Sequence, residues 1–126
     1  MKALSSAPHR LLMAAIRQAI LADSWFSGWL AGSDVGPSLV IEDFHSEPWA
    51  SLTFAGARHA ITLRLSGPAE QVERAWDRLE ALFTAPDLPL AGHFLADFEI
   101  GERMGEILEN GDMVLRISLE ALTIAE

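Results

Sequence analysis

The sequence contains no cysteine among its 126 residues. That absence excludes disulfides, thiol nucleophiles and thiolate metal sites, and it fits a reducing compartment. Basic residues are also scarce, since one lysine and eight arginines face eighteen carboxylates to give a net charge of −9. Phosphate contacts require clustered basic side chains. The composition therefore argues against specific nucleic-acid binding and, for the same reason, against binding to an acidic membrane surface.

Long apolar runs are missing as well. The longest apolar run near the N-terminus is LLMAAI, which has six residues and is ended by Arg17. A membrane span needs about 20 apolar residues, and a secretory segment needs a longer core than this one. Half of the residues are nevertheless apolar, which excludes a disordered chain. We expect one unexported, cytoplasmic domain that covers residues 1–126, with no membrane partner.

The negative charge is concentrated in the second half of the chain. Residues 1–63 carry five acids and four bases, whereas residues 64–126 carry thirteen acids and five bases. Such an excess keeps a small, apolar-rich protein soluble.

Residues 58–100 carry the clearest structural pattern. Ile61, Leu63 and Leu65 alternate with less apolar residues, which is typical of a strand with one buried face. Gly67 and Pro68 then favour a stop followed by a helix start. The helix has an apolar stripe made of Val72, Trp76, Leu79, Leu82 and Phe83. A second strand is predicted with its apolar residues on one face: Phe94, Ala96, Phe98 and Ile100.

The flanking segments complete the fold prediction. An amphipathic helix is predicted from His9 to Asp23, with its cap near Ser6 or Ala7, and a strand at 37–43. The sequence leaves open whether residues 48–57 form a strand or a loop. In the last strand, 113–124, the apolar positions change face near the end, which predicts either a bulge there or a strand that leaves one layer for another.

The resulting order is α-β-β-α-β-β. It predicts a two-layer α+β domain in which two helices pack on a four-stranded, mainly antiparallel sheet. The pair Asn110-Gly111 is typical of a tight turn. We therefore expect the last two strands to form a long C-terminal β-hairpin.

A search for catalytic, cofactor and metal sites gives no strong candidate. His59 and His93 each begin a predicted strand and would approach each other if those strands were neighbours, but no third metal ligand accompanies them. Asp97 and Glu99 share an outward strand face, where carboxylates are usually just solvated. The segment from Gly32 to Gly36 lacks the spacing and the lysine of a phosphate-binding loop. The sequence predicts no catalytic residue, no cofactor and no metal.

The segment 102–112 contains apolar residues in an otherwise polar stretch. If the hairpin projects, these side chains have no obvious partner within the chain, and they suggest a contact between subunits. The candidate interface residues are Met104, Ile107, Leu108, Glu102 and Arg103. The alternative is that the strands are longer than predicted and that the apolar residues line the core.

The ordered set of motifs resembles the tail-completion, or tail-terminator, proteins of long-tailed bacteriophages and gene transfer agents. The resemblance extends from about Pro37 to the C-terminus. It rests on PSLVIED, Trp49-Ala50-Ser51, Arg58-His59 before AITLRLS, QVERAWDRLEALF, LPLAGHFL and a closing strand near the terminus.

This resemblance implies a structural protein and no enzyme. It implies a ring, with six subunits expected, that ends the tail tube and offers a surface to the head connector. The implied partners are other copies, tail-tube protein and head–tail connector proteins, and DNA would pass through the ring. Assembly would take place in the cytoplasm before the protein becomes part of a phage-like particle.

Two functions from other classes remain open at this point. A small-molecule-binding or regulatory module would use Trp25, Phe26 and Trp29 as a pocket wall, although three such residues more often form a lid on the core. A small hydrolase or isomerase would use His59 or His93 together with Asp97.

Overall fold

The computed structural model describes residues 7–31 and 36–126. Helix α1 spans Ala7–Leu21 and helix α2 spans Ala69–Thr84. Two short 3₁₀ turns, Ser24–Phe26 and Trp29–Ala31, precede the first strand. The strands are β1 (Ser38–Ala50), β2 (Ala55–Pro68), β3 (His93–Ile107) and β4 (Asp112–Ala125). The predicted α+β class and the order α-β-β-α-β-β are confirmed.

The four strands form one sheet in the order β1-β2-β4-β3, with every neighbouring pair antiparallel. β1 and β3 are therefore the edge strands. Gly56 pairs with Ile124 at one end of the sheet, and Pro68 pairs with Asp112 at the other. Because the β1–β2 turn adjoins the first of these pairs and the β3–β4 turn adjoins the second, the two hairpins end at opposite ends of the sheet.

Both helices pack on one face of this sheet, and the core lies between them and the central strands. Ile61, Leu63 and Leu65 of β2 are almost completely buried, as the alternation predicts. The opposing β4 residues Ile117 and Leu119 are equally buried. The predicted α2 stripe is confirmed, with Leu82 partly buried and the other four members in the core: Val72, Trp76, Leu79 and Phe83.

The segment that the sequence leaves undecided, 48–57, is part of a hairpin. β1 continues to Ala50, residues 51–54 form the turn, and β2 begins at Ala55. The predicted strand reaches only Ile100, whereas β3 continues to Ile107. Both hairpins are therefore longer than the periodicity indicates.

The bulges also differ from prediction. β4 contains no register shift, whereas β3 shifts between Leu95 and Asp97 and again between Ile100 and Arg103. The first shift places Phe94 on the face opposite Phe98, so the prediction that these residues share a face is wrong. The apolar change at the end of β4 arises because Ile124 is buried on the helix-free face, at 4% exposure.

Two features of the sequence fall on residues that the structure does not describe. These are Ser6, one of the two predicted cap positions, and most of the segment from Gly32 to Gly36. Within the described ranges, no helix is long and apolar enough to cross a membrane.

Candidate assembly surfaces

The outer half of the β3–β4 hairpin is exposed on both faces. All residues from 101 to 111 are exposed, and among them Met104 is 70% exposed, Ile107 59% and Leu108 40%. The alternative that these side chains line the core is therefore wrong, although the strands are indeed longer than predicted. The hairpin is ordered by its own bonds, since Gly111 N donates to the Leu108 carbonyl at 3.0 Å and Leu108 N donates to the Asp112 carbonyl at 2.7 Å. An ordered arm with exposed apolar side chains is suited to a protein contact.

The candidate polar residues of this hairpin have different surroundings. Glu102 lies in the second bulge of β3, where its carbonyl accepts a hydrogen bond from Ser118 Oγ at 3.1 Å. Arg103 lies on the helix side of the sheet, and its guanidinium carbon is 5.2 Å from the centre of the Trp76 ring. That distance is within the range of a cation–π contact.

A cleft of about 510 Å³ lies between α2 and the base of this hairpin. It is lined by Glu73, Trp76, Asp77, Arg103, Met113 and Leu115, among others. Trp76 is 5% exposed, and its indole Nε1 donates to no acceptor within the described residues. Arg103 likewise makes no ion pair in the described part of the chain. Two unused donors thus lie at a cleft with acidic groups at its rim.

The β1–β2 turn at the other end of the sheet is the second exposed apolar element. Leu52 is 107% exposed and Phe54 is 53% exposed. Ser51 orders the turn, because its N–H donates to the Phe54 carbonyl at 2.8 Å and its Oγ accepts from Phe54 N at 3.0 Å. We call residues 50–55 the β1–β2 tip. The surrounding run 48–57 contains no charged residue.

The helix-free face of the sheet is polar and acidic along most of its length. Glu42 accepts hydrogen bonds from Arg116 Nε at 2.9 Å and from Arg64 at 3.2 Å. The bond from Arg116 is the main reason that the pKa of Glu42 lies below its usual range. Glu99 lies directly opposite Glu120 on this face. The predicted outward carboxylates Asp97 and Glu99 are both exposed, as expected.

An apolar row crosses this same face near the β1–β2 tip. The register places Trp49, Gly56, Ile124 and Phe94 side by side on the four strands. Phe94 remains 42% exposed. A Cβ on Gly56 would lie 1.8 Å from the Thr123 carbonyl oxygen, so only glycine fits between β1 and β4 at this point.

The histidines do not form the pair that the sequence suggested. β4 lies between β2 and β3, so His59 and His93 are on strands that do not touch. His93 Nδ1 instead lies 3.2 Å from the Ala91 carbonyl. His59 lies on the helix side of β2, whereas Asp97 lies on the helix-free face, so these two cannot act together. No group of metal-ligating side chains occurs among residues 7–31 and 36–126.

His59 belongs instead to a buried hydrogen-bond chain. Its Nδ1 is 2.6 Å from Ser46 Oγ, and its Nε2 is 2.9 Å from Thr123 Oγ1. Ser46 Oγ is also 2.6 Å from His9 Nδ1. Burial, aided by the nearby His9, lowers the pKa of His59 to about 4, so the ring is neutral at pH 7. Because Thr123 donates to the Ala57 carbonyl, it accepts from His59 Nε2, and Ser46 therefore donates to His59 Nδ1.

This serine–histidine pair lacks the parts of a hydrolase site. His59 is 2% exposed, so no substrate reaches it in this conformation. Its second nitrogen is held by a threonine, and a threonine does not stabilise an imidazolium as a carboxylate would. These hydrogen bonds connect α1 to the sheet.

The aromatic cluster after α1 is a lid on the core. Phe26 and Trp29 are buried, and Trp25 stacks on Trp29 with 5.2 Å between ring centres. Arg78 covers Trp25 and donates two hydrogen bonds to Asp23, at 2.8 and 3.0 Å. These bonds lower the pKa of Asp23. The cluster therefore offers no open wall for a ligand.

A comparison with solved structures finds a chain of similar fold. It is a chain from a structure described as the virion of a native gene transfer agent particle, with a TM-score of 0.78 and 17% sequence identity. The match covers 96% of this chain and 100% of the other. The two chains share a fold. No protein-family model matches the sequence, and no curated protein does.

Sequence reasoning found the exposed hairpin of this fold but missed the cleft and the β1–β2 tip. The cleft depends on Arg103 reaching the helix side of the sheet, and only the β3 bulges decide that. The tip did have a signal, namely the uncharged run 48–57 in a chain with 21% charged residues.

Proposed function

We propose that this protein is a structural subunit of a phage-like particle, and that it forms a ring that ends the tail tube. The observation that carries the proposal is the likeness in fold, over nearly the whole of both chains, to a component of a gene transfer agent virion. The motif resemblance to tail-terminator proteins supports the position within the particle. In this role the protein acts by binding other proteins, and it performs no chemical reaction.

The exposed β3–β4 hairpin supports assembly with other chains. Its apolar residues Met104, Ile107 and Leu108 are costly to leave in water, and burying such side chains stabilises a contact by about 25 cal/mol for each Å² removed from water. The proposed partners are further copies, tail-tube protein and the head–tail connector. Assembly takes place in the cytoplasm, and the finished ring stays in the particle.

The negative charge suits a ring through which DNA passes. Glu42, Asp43, Glu99 and Glu120 lie on the helix-free face, and Glu102 and Glu106 extend the acidic character onto the hairpin. If this face lines the opening, it repels the phosphate backbone and does not trap it.

Light scattering of the purified protein over a concentration series, alone and with tail-tube protein, tests the proposal. We expect a closed oligomer near six times 13.8 kDa. The triple variant Met104→Gln, Ile107→Thr, Leu108→Gln should lose this oligomer while it keeps its fold by circular dichroism. The matched control is Leu21→Gln, an equally exposed apolar residue at the end of α1. A strict monomer in the presence of tube protein would contradict the proposal.

A further inference from the structure

The tip and the cleft are complementary but cannot meet within one chain. The tip follows β1 at the end marked by the Gly56–Ile124 pair, and the cleft lies at the end marked by the Pro68–Asp112 pair. Gly56 and Pro68 are twelve positions apart along β2, which corresponds to roughly 40 Å. The strand order places the tip on the β1–β2 side and the cleft on the β4–β3 side. The two features therefore occupy diagonally opposite corners of the sheet.

We infer that the β1–β2 tip of one copy inserts into the α2 cleft of the next copy. The inference rests on the proposed ring and identifies one contact that would hold it together. A contact between two different surfaces of the same chain is heterologous, and such contacts produce closed rings when the rotation between copies closes.

The first argument is hydrogen-bonding demand. The cleft offers the guanidinium of Arg103, which makes no ion pair among the described residues, and the Trp76 N–H beside it, which has no acceptor. The tip offers the carbonyls of Leu52 and Thr53, which no donor within the described ranges reaches. Of these donors only the Trp76 N–H is buried, and a buried donor is normally satisfied. If Arg103 moves off the indole as the tip arrives, its donors and the Trp76 N–H gain those carbonyls.

The second argument is shape and apolar surface. Leu52 stands wholly in solvent, with the half-exposed Phe54 beside it. The cleft is lined by apolar Met113 and Leu115 as well as by polar side chains, and its volume of about 510 Å³ lies within the range of ligand-binding pockets. The tip is suited to insertion because an ordered turn loses little conformational entropy on binding.

The third argument is charge. Glu73 and Asp77 at the cleft repel acidic chains and DNA, whereas the run 48–57 carries no charge and meets no repulsion. In a protein of net charge −9, an uncharged segment approaches this cleft with less repulsion than the acidic parts of a second copy would meet. The tip is such a segment.

Cysteine crosslinking tests the contact directly, because the natural chain has no cysteine to interfere. The double variant Leu52→Cys, Asp77→Cys is oxidised, and in parallel treated with a short bifunctional maleimide, at concentrations that span the assembly range. We expect a ladder of dimers, trimers and larger species on a denaturing gel. A mixture of the two single variants should stop at dimers, because each copy then carries one half of the contact.

The matched control is Leu52→Cys, Gln18→Cys, in which the second cysteine lies on the exposed side of α1. A ladder no stronger than that of this control would overturn the inference. So would efficient dimers from Leu52→Cys alone, since they would indicate a symmetric tip-to-tip contact, or crosslinking to tube protein without crosslinking between copies.

Failure of this contact is distinguishable from failure of the proposed function. If the natural protein forms an oligomer that the β3–β4 hairpin variant loses, but no tip-to-cleft crosslinks appear, the ring is supported and only this interface is contradicted. If the protein stays monomeric in the presence of tube protein, the proposed function itself is contradicted.

Discussion

His59 is the one titratable side chain in the core of the described residues. Through Ser46 and His9 it connects β2 and β1 to the first turns of α1, and through Thr123 it connects β2 to β4. Burial, together with the nearby His9, disfavours a positive charge on the ring, so the neutral form of His59 is favoured in the folded protein.

Acid should therefore destabilise the protein before its carboxylates titrate. The pKa of His59 is 6.5 when unfolded and about 4 when folded. Between these values the unfolded chain binds a proton that the folded chain does not, so the unfolding free energy falls as the pH decreases through 6.5 and the loss is complete below about 4. We expect a loss of about 2 kcal/mol between pH 7 and pH 5.

Urea denaturation at several pH values measures this loss. His59→Gln should remove the dependence above pH 5, whereas His45→Gln, at a solvent-exposed position, should retain it. If His59→Gln keeps the full dependence, another group is responsible.

At the scale of the elements, the sequence predicts the types and order of helices and strands because burial on one face leaves a regular period. Val72 to Phe83 on α2 and Ile61 to Leu65 on β2 show this directly. The ends of the hairpins escaped prediction because strands exposed on both faces, such as residues 101–107, have no apolar period to detect. A bulge was expected in β4 because an apolar change of face at the end of a strand is explained equally by a bulge or by burial on the second face.

Two glycines in the strands provide a matched test of the sheet. A Cβ at Gly56 would meet the Thr123 carbonyl at 1.8 Å, whereas a Cβ at Gly105 would meet only the flexible end of Leu115 at 3.4 Å. Gly56→Ala should therefore force β2 and β4 apart and cost about 1–3 kcal/mol. Gly105→Ala should be neutral or slightly stabilising, because glycine weakens a strand.

Thermal unfolding of both variants and the natural protein measures the difference. Equal melting temperatures for the two variants would contradict the close approach at Gly56.

At the scale of the whole molecule, the sequence predicts the exposed hairpin and the acidic balance, since both are properties of composition and spacing. It does not predict the cleft, because Glu73, Arg103 and Met113 come together only through tertiary packing. The sequence likewise does not predict that His59 and Asp97 lie on opposite faces of the sheet.

The acidic hairpin makes a prediction about DNA. The triple variant Glu102→Lys, Glu106→Lys, Glu109→Lys should bind DNA in a salt-dependent manner and should lower DNA delivery by particles that contain it, because clustered lysines attract phosphates. A control with the same net charge replaces exposed acids elsewhere with lysine: Glu70, Glu80 and Asp87. Fluorescence anisotropy with labelled duplex DNA and a transfer assay measure the two effects. If particles with the hairpin variant deliver DNA as well as particles with the natural protein, the acidic hairpin has no role in DNA passage.

The two hairpins leave the sheet at opposite ends and differ in chemistry. One end bears the uncharged tip with Leu52 and Phe54, and the other bears Glu102, Glu106 and Glu109. In the proposed contact the tip of each copy is covered by the next copy, whereas Glu102, Glu106 and Glu109 stay exposed. Because the contact always runs from tip to cleft, it repeats in one direction, and the assembly has polarity. Orientation between two different neighbours is thereby encoded in a single subunit.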